Sequence, residues 1–220
     1  MTLQIRSISI YSHRGERRDV TFRLGALNVV TGGPKTGKSA LLGIVDYCWG
    51  RDECTVPQGE IRRSASWFAV WFDNDGEGIL IARKNPGPAG RSSAEIYFAR
   101  GIGKLPSDAS VFHKNITGSG LKIQLSATLG ITENIHVPET WSTRLPLEAS
   151  SRHVILFCLQ DQDEIANRRL LFHRQGEPFF PRAISDALPY FLGAVEEDHF
   201  LALKRYKDVR ARLRKLAVRG

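Results

Sequence analysis

Thr31-Gly32-Gly33-Pro34-Lys35-Thr36-Gly37-Lys38-Ser39-Ala40 satisfies the spacing G-x-x-x-x-G-K-[ST], with Gly32, Gly37, Lys38 and Ser39 at the defining positions. The residue types follow from the chemistry. Glycines let successive backbone N–H groups turn toward one anion, and a helix beginning at the loop adds the positive end of its dipole. In such a loop Lys38 reaches the β- and γ-phosphates as a point charge, and the Ser39 hydroxyl ligates Mg²⁺. The competing reading is a glycine-rich turn with an incidental lysine.

The flanks supply context. Ala26, Leu27, Asn28, Val29 and Val30 read as a short buried strand, and residues 40–49 read as a helix with Leu41, Ile44, Val45 and Cys48 at helical spacing. Gly50 is the expected stop. Upstream, residues 3–11 alternate apolar and polar, a polar bend covers residues 12–18, and residues 19–24 alternate again. Downstream, residues 51–65 read as a surface connection. Residues 66–72 and 79–84 form a hairpin about a turn at 73–78, with Asp73 expected to face solvent. Residues 85–93 read as a flexible loop, 94–99 as a strand, 119–129 as a helix closed by Gly130, and 131–151 as loop.

Leu156-Phe157-Cys158-Leu159-Gln160-Asp161 is apolar and then acidic, and three readings stand open: a Walker B strand, a Q-loop, or a plain helix end. Asp163 and Glu164 read as solvated acids at a helix start. Pro178 and Pro181 bracket a bend, and the chain turns helical from Arg182 with an interruption near Pro189 and Gly193. Beyond Glu196, Ala202, Tyr206, Val209, Leu213 and Leu216 follow a heptad seam, the start of a coiled coil or an amphipathic end helix.

Composition bounds the classes. At 220 residues, 42% hydrophobic and 25% charged, the chain can build one sizeable core or one domain with an extension. No run of about 18 apolar residues suggests a membrane span, and the first residues lack the pattern of a signal peptide. Three cysteines in no C-x-x-C pair argue against disulfides and zinc, so a cytoplasmic location is expected. Cys48 and Cys158 fall in apolar runs and read as packing residues. Net charge is +8, with eight Lys/Arg against one Asp between Lys204 and Arg219. That balance permits DNA as a partner, although solvated helix faces produce the same runs.

The order strand, basic turn, strand, short strand, phosphate loop, helix over residues 5–50 resembles the opening of the ATPase heads of SMC-like proteins. These are the RecN, RecF, SMC and SbcC types within the ABC class, and more narrowly an uncharacterised bacterial SMC-like family, some members of which are thought to act in phage defence. The Trp67 to Arg83 hairpin resembles their antiparallel β-lobe, residues 160–165 their Q-loop, and the basic tail the start of their coiled-coil arm. The resemblance implies an α/β P-loop NTPase half-head with an antiparallel β-lobe and a C-terminal helix that starts a coiled coil. It would comprise a half-head over residues 1–195 and an arm from 196–220. It implies ATP and Mg²⁺ as cofactors, with Lys38 and Gln160 in catalytic roles, and Ser39 and Gln160 as Mg²⁺ ligands. Residues 32–40 would cradle the phosphates, and Arg14 would approach the α-phosphate.

Two departures from that family matter. Pro34-Lys35 stands where Asn-Gly is usual, adding a charge beside the phosphates. No L-S-G-G-Q-like signature is present, nor the usual apolar run ending in Asp-Glu. Those parts lie after the coiled coil in SMC-like chains. The expectation is therefore a half-head that binds Mg-ATP weakly and needs a C-terminal half-head, on the same or another chain, to hydrolyse it in a head-to-head dimer. Such an engagement would be coupled to DNA binding, repair or phage defence. The alternatives are a small P-loop kinase, with Arg168, Arg169 and Arg174 as a conceivable lid, and a non-hydrolysing DNA-tethering module.

Overall fold

The computed structural model describes residues 2–34, 36–131, 135–136, 147–194, and 205, 206, 209, 210 and 213. The chain divides into two compact units, residues 1–124 and 125–220.

The first unit is built on one sheet. Strands β1 (Leu3–Ser12), β2 (Arg17–Thr21), β3 (Ala65–Asn74), β4 (Glu77–Lys84) and β5 (Ile96–Arg100) lie in the order β2-β1-β3-β4-β5, and every neighbouring pair is antiparallel. The aromatic and β-branched content of β3 and β4 suits a surface buried on both faces. Asp75 and Gly76 join them with φ of 49° and 95°, the left-handed pair that a two-residue hairpin requires. Asp73 is not the solvent-facing turn residue expected: it is buried, accepts from Gly76 N at 3.0 Å, and binds Arg6 Nε at 2.8 Å. A register slip between Ile5 and Ser7 places Arg6 at the bulge from which it reaches across.

Helix α1 (Lys38–Trp49) covers one face, with Tyr47 edge-on to Phe68 and Trp49 edge-on to Phe72 at 6.5 and 5.4 Å between centroids. Gly50, at φ 119°, ends it. On the opposite face Tyr11, Trp67, Ala69, Leu80 and Ala82 pack under Leu105 and Phe112. Tyr11 Oη donates to Pro106 O at 3.0 Å, and burial pushes its pKa up to about 12. The free edge of β5 is closed by a side chain, since Asn115 both donates to Phe98 O and accepts from Phe98 N at 2.8 Å.

Two further expectations are overturned in this unit. Residues 51–65 are not simply a surface connection: they contain helix α2 (Glu60–Ser64), whose Arg62 is buried. The loop at 85–93 is pinned rather than loose. Arg62 donates to the carbonyls of Cys54, Val56, Gly87 and Gly90, and Asn85 Nδ2 donates to Arg62 O and Ala65 O. Arg83, also buried, stacks on Tyr47 at 3.9 Å and donates to the carbonyls of Tyr47, Arg51 and Ser93.

Helix α3 (Gly118–Thr128) ends in a Schellman turn, with Ile131 N bonded to Ser126 O, Gly130 N to Ala127 O, and Gly130 at φ 68°. The second unit then holds a two-residue ladder, β6 (Ile135–His136) with β7 (Leu147–Glu148), and helices α4 (Ser151–Cys158), α5 (Gln162–Ala166) and α6 (Phe180–Phe191). Phe157 packs against Phe172 and Phe191 at 5.2 and 5.4 Å. The apolar run offered as a Walker B strand is helical through Cys158, so that reading is withdrawn. Cys158 is exposed, not a packing residue, because it falls on the outer side of that short helix. In the heptad seam Ala202 and Leu216 lie outside the described residues; Tyr206, Val209 and Leu213 are helical and exposed.

Candidate functional site

Residues 32–34 and 36 are exposed, and the chain passes through half-buried Gly37 directly into α1, which begins at Lys38. Gly37 is the N-cap at φ 86°, a conformation that a residue with a Cβ adopts at a cost. No side chain caps the helix, so its first N–H groups and its dipole end face the loop. Ala40, the first buried residue of α1, anchors the start of the helix through Ala40 N to Gly37 O at 3.0 Å. Ser39 is exposed at this end, where a hydroxyl can serve a cation held by phosphate.

Lys38 folds back across the loop. Its Nζ lies 2.7 Å from Gly32 O, 2.6 Å from Gly33 O and 3.2 Å from Thr36 Oγ1, and Thr36 Oγ1 itself donates to Gly33 O at 2.9 Å. A Cβ on Gly32 would stand 3.1 Å from Thr36 Oγ1, so glycine there permits the close folding. Pro34 is exposed and brings no N–H to the loop. Lys35 lies outside the described residues.

Helix α2 is the wall that sequence reading missed. A Cβ on Gly37 would meet Ile61 Cδ1 at 3.0 Å, and the Ser64 carbonyl at the other end of α2 accepts from His13 N at 3.0 Å. The five residues of α2 rise only about 1.5 Å each. The turn bearing exposed Arg14 is therefore tied to the end of α2 opposite the residue that meets Gly37, and no contact joins Arg14 to residues 32–39 among the described residues. Ile61 carries no motif, and only an apolar residue among Glu60, Arg62 and Arg63 hinted at it.

The strand expected ahead of the loop is absent. Residues 22–34 carry no strand, and Leu27, Val29 and Val30 are 92, 74 and 42% exposed. Asn28 explains the local shape: its amide donates to Arg23 O and Ala26 O and accepts from Arg23 N at 2.8–2.9 Å, folding the backbone where a strand was expected.

Gln160 belongs to the second unit, where its Nε2 donates to Leu171 O at 2.5 Å. Asp161 and Glu164 form a reciprocal cap on α5. Glu164 is not a solvated acid: it is buried, and its carboxylate accepts from Asp161 N, Arg174 N and His173 Nδ1. Burial raises its pKa, but those hydrogen bonds outweigh burial and leave it below the ordinary glutamate value of 4.5. Of the three conceivable lid arginines, Arg174 is committed locally, stacking on Phe180 at 3.9 Å and pairing with Glu177 at 2.8 Å. Among the described residues no cluster of three or more His, Cys, Asp or Glu could hold a metal, and no helix is long and apolar enough to cross a membrane.

Comparison with protein-family models, with curated proteins and with solved structures finds no match to this chain.

Proposed function

We propose that the chain is the ATP-binding N-terminal half of an SMC-like ATPase head, which takes Mg-ATP at residues 32–39 and requires a second polypeptide half for hydrolysis. One observation carries the half-head reading. The apolar run leading into the loop lies in water, with Leu27 92% and Val29 74% exposed. Leaving each of these side chains out of a core forgoes roughly 1.5–3 kcal/mol. Strands buried on both faces read as near-continuous apolar runs, and this run has that composition without the neighbours. A partner half supplying flanking strands would bury it and straighten the approach to Gly32.

The loop's residues fit a phosphate. The uncapped start of α1 and the left-handed Gly37 direct N–H groups and a dipole end toward an anion. Lys38 would exchange its carbonyl partners for β- and γ-phosphate oxygens, and Ser39 would hold Mg²⁺, which neutralises charge developing on the transferred phosphoryl group. Groups from the second half would complete that stabilisation. The net charge of +8 supports a polyanion such as DNA as a further partner of the assembled head.

The test is Mg-ATP binding and turnover by the chain alone, with Lys38→Ala alongside. Weak binding, lost about tenfold or more in the variant, with no turnover is the expected result. Robust hydrolysis by the chain alone would overturn the half-head and favour a self-contained phosphotransferase. Binding that ignores Lys38→Ala would remove the phosphate site itself.

A further inference from the structure

We propose that the phosphate loop is latched by its own lysine, and that nucleotide enters only after the Gly32–Gly33 peptide turns over. The inference rests on residues 32–39 being a phosphate site and adds what must move first. An ammonium has three N–H donors. Lys38 has one acceptor for each within its own loop: Gly32 O at 2.7 Å, Gly33 O at 2.6 Å and Thr36 Oγ1 at 3.2 Å. No proton is left for a phosphate oxygen while that arrangement holds.

The same arrangement turns two consecutive carbonyls toward the charge, where an anion cradle needs N–H groups. The Gly33–Pro34 peptide has no N–H to offer in any orientation. The Gly32–Gly33 peptide has one, and turning that plane over replaces its carbonyl with its N–H. Because the peptide is rigid, the turn changes ψ of Gly32 and φ of Gly33 by about 180°. Gly33 lies outside the left-handed region in the latched form, and a half-turn of φ carries it out of the ordinary negative range toward the positive side. Glycine goes there freely; a residue with a Cβ does not. A Cβ on Gly33 would meet only Thr36 Cγ2, at 3.9 Å, which is ordinary contact. The closed loop therefore tolerates a side chain at this position that the open loop opposes.

Thr36 is the catch, since its hydroxyl touches both the ammonium and the Gly33 carbonyl. A closed population lowers apparent affinity by the fraction that is open. Removing the catch should therefore tighten binding, although it deletes a polar group from the loop. A group that merely lined the site would have the opposite effect.

The experiment is calorimetric titration of Mg-ATP into the full chain and its Thr36→Val, Thr36→Ser and Gly33→Ala variants, with melting curves for each. Thr36→Val is expected to bind about fivefold tighter, the worth of one hydrogen bond, and Thr36→Ser like wild type. Gly33→Ala is expected to melt like wild type and to bind at least about tenfold more weakly, from the left-handed penalty. A Thr36→Val chain that binds no tighter than wild type, including the case in which neither binds, would overturn the latch. So would a Gly33→Ala chain that binds normally. Indifference to Lys38→Ala sinks the phosphate site instead, so the two failures are distinguishable.

Discussion

Arg62, Arg83 and Lys38 are cations of the first unit held mainly by backbone carbonyls, and burial separates them into two kinds. Arg62 and Arg83 are 2 and 6% exposed and form no ion pair among the described residues; each gathers carbonyls from segments distant in sequence. Lys38 is partly exposed and gathers carbonyls only from its own loop. The bond chemistry is the same, but the alternatives differ. Around the arginines no water can replace the guanidinium, so losing it strands several acceptors at once. Around Lys38 solvent or a phosphate can take over each bond. A carbonyl-bound cation is a rivet when buried and a latch when exposed.

The largest test of that contrast is Arg83→Met. It deprives the carbonyls of Tyr47, Arg51 and Ser93 of a donor and should cost on the order of 3–5 kcal/mol in urea unfolding. Arg83→Lys should recover little, because an ammonium cannot reproduce the planar array or the stacking on Tyr47. Lys38→Met should leave stability within about 0.5 kcal/mol, its effect falling on Mg-ATP affinity. Equal stability losses in the two variants would break the distinction.

Glu164 supplies the anionic counterpart, a buried carboxylate held by the N–H groups of Asp161 and Arg174 and by His173. Its folded pKa lies below 4.5, so its contribution is fully present above that value and is lost as pH falls through the folded value. Glu164→Gln should lower stability by about 1–2 kcal/mol at neutral pH. The gap to wild type should close as the pH falls below the ordinary glutamate value of 4.5 and through the lower folded one. A gap that widened in acid would show that the charge is not what the cluster holds.

These charged centres are also where sequence and structure part. Strand β1 and helix α1 were legible from the period of their apolar residues, and β3 and β4 from aromatic and β-branched content about a turn. The phosphate loop proposed at residues 32–39 was offered because that chemistry would dictate residue types at fixed spacing. Arg62, Arg83 and Asp73 were not legible, since carbonyl acceptors leave no mark in a sequence and a proline- and glycine-rich stretch looks loose whether or not an arginine pins it. The run at 26–30 misled in another way. Its composition suggested a buried strand, but burial is a property of neighbours, and the chain there is exposed and not a strand, with Asn28 holding its local shape.

That run gives the smallest expected effect on the chain itself, and the sharpest contrast with the sheet. Leu80 and Leu27 are both leucines beside apolar neighbours, yet one is 0% and the other 92% exposed. Leu80→Ala should cost about 2–5 kcal/mol through lost transfer and a residual cavity. Leu27→Asp should change unfolding free energy by no more than about 0.5 kcal/mol, since it removes nothing from a core. If Leu27 instead serves a buried strand in an assembled head, the same substitution places a charge where neighbouring strands must close, and such a charge is costly without a partner. Neutral stability of Leu27→Asp, with loss of Mg-ATP-driven association between the chain and a C-terminal half, would mark residues 26–30 as the seam of the enzyme. A large loss of stability in the isolated chain would place Leu27 in a core the chain already possesses, and the half-head reading would lose the observation that carries it.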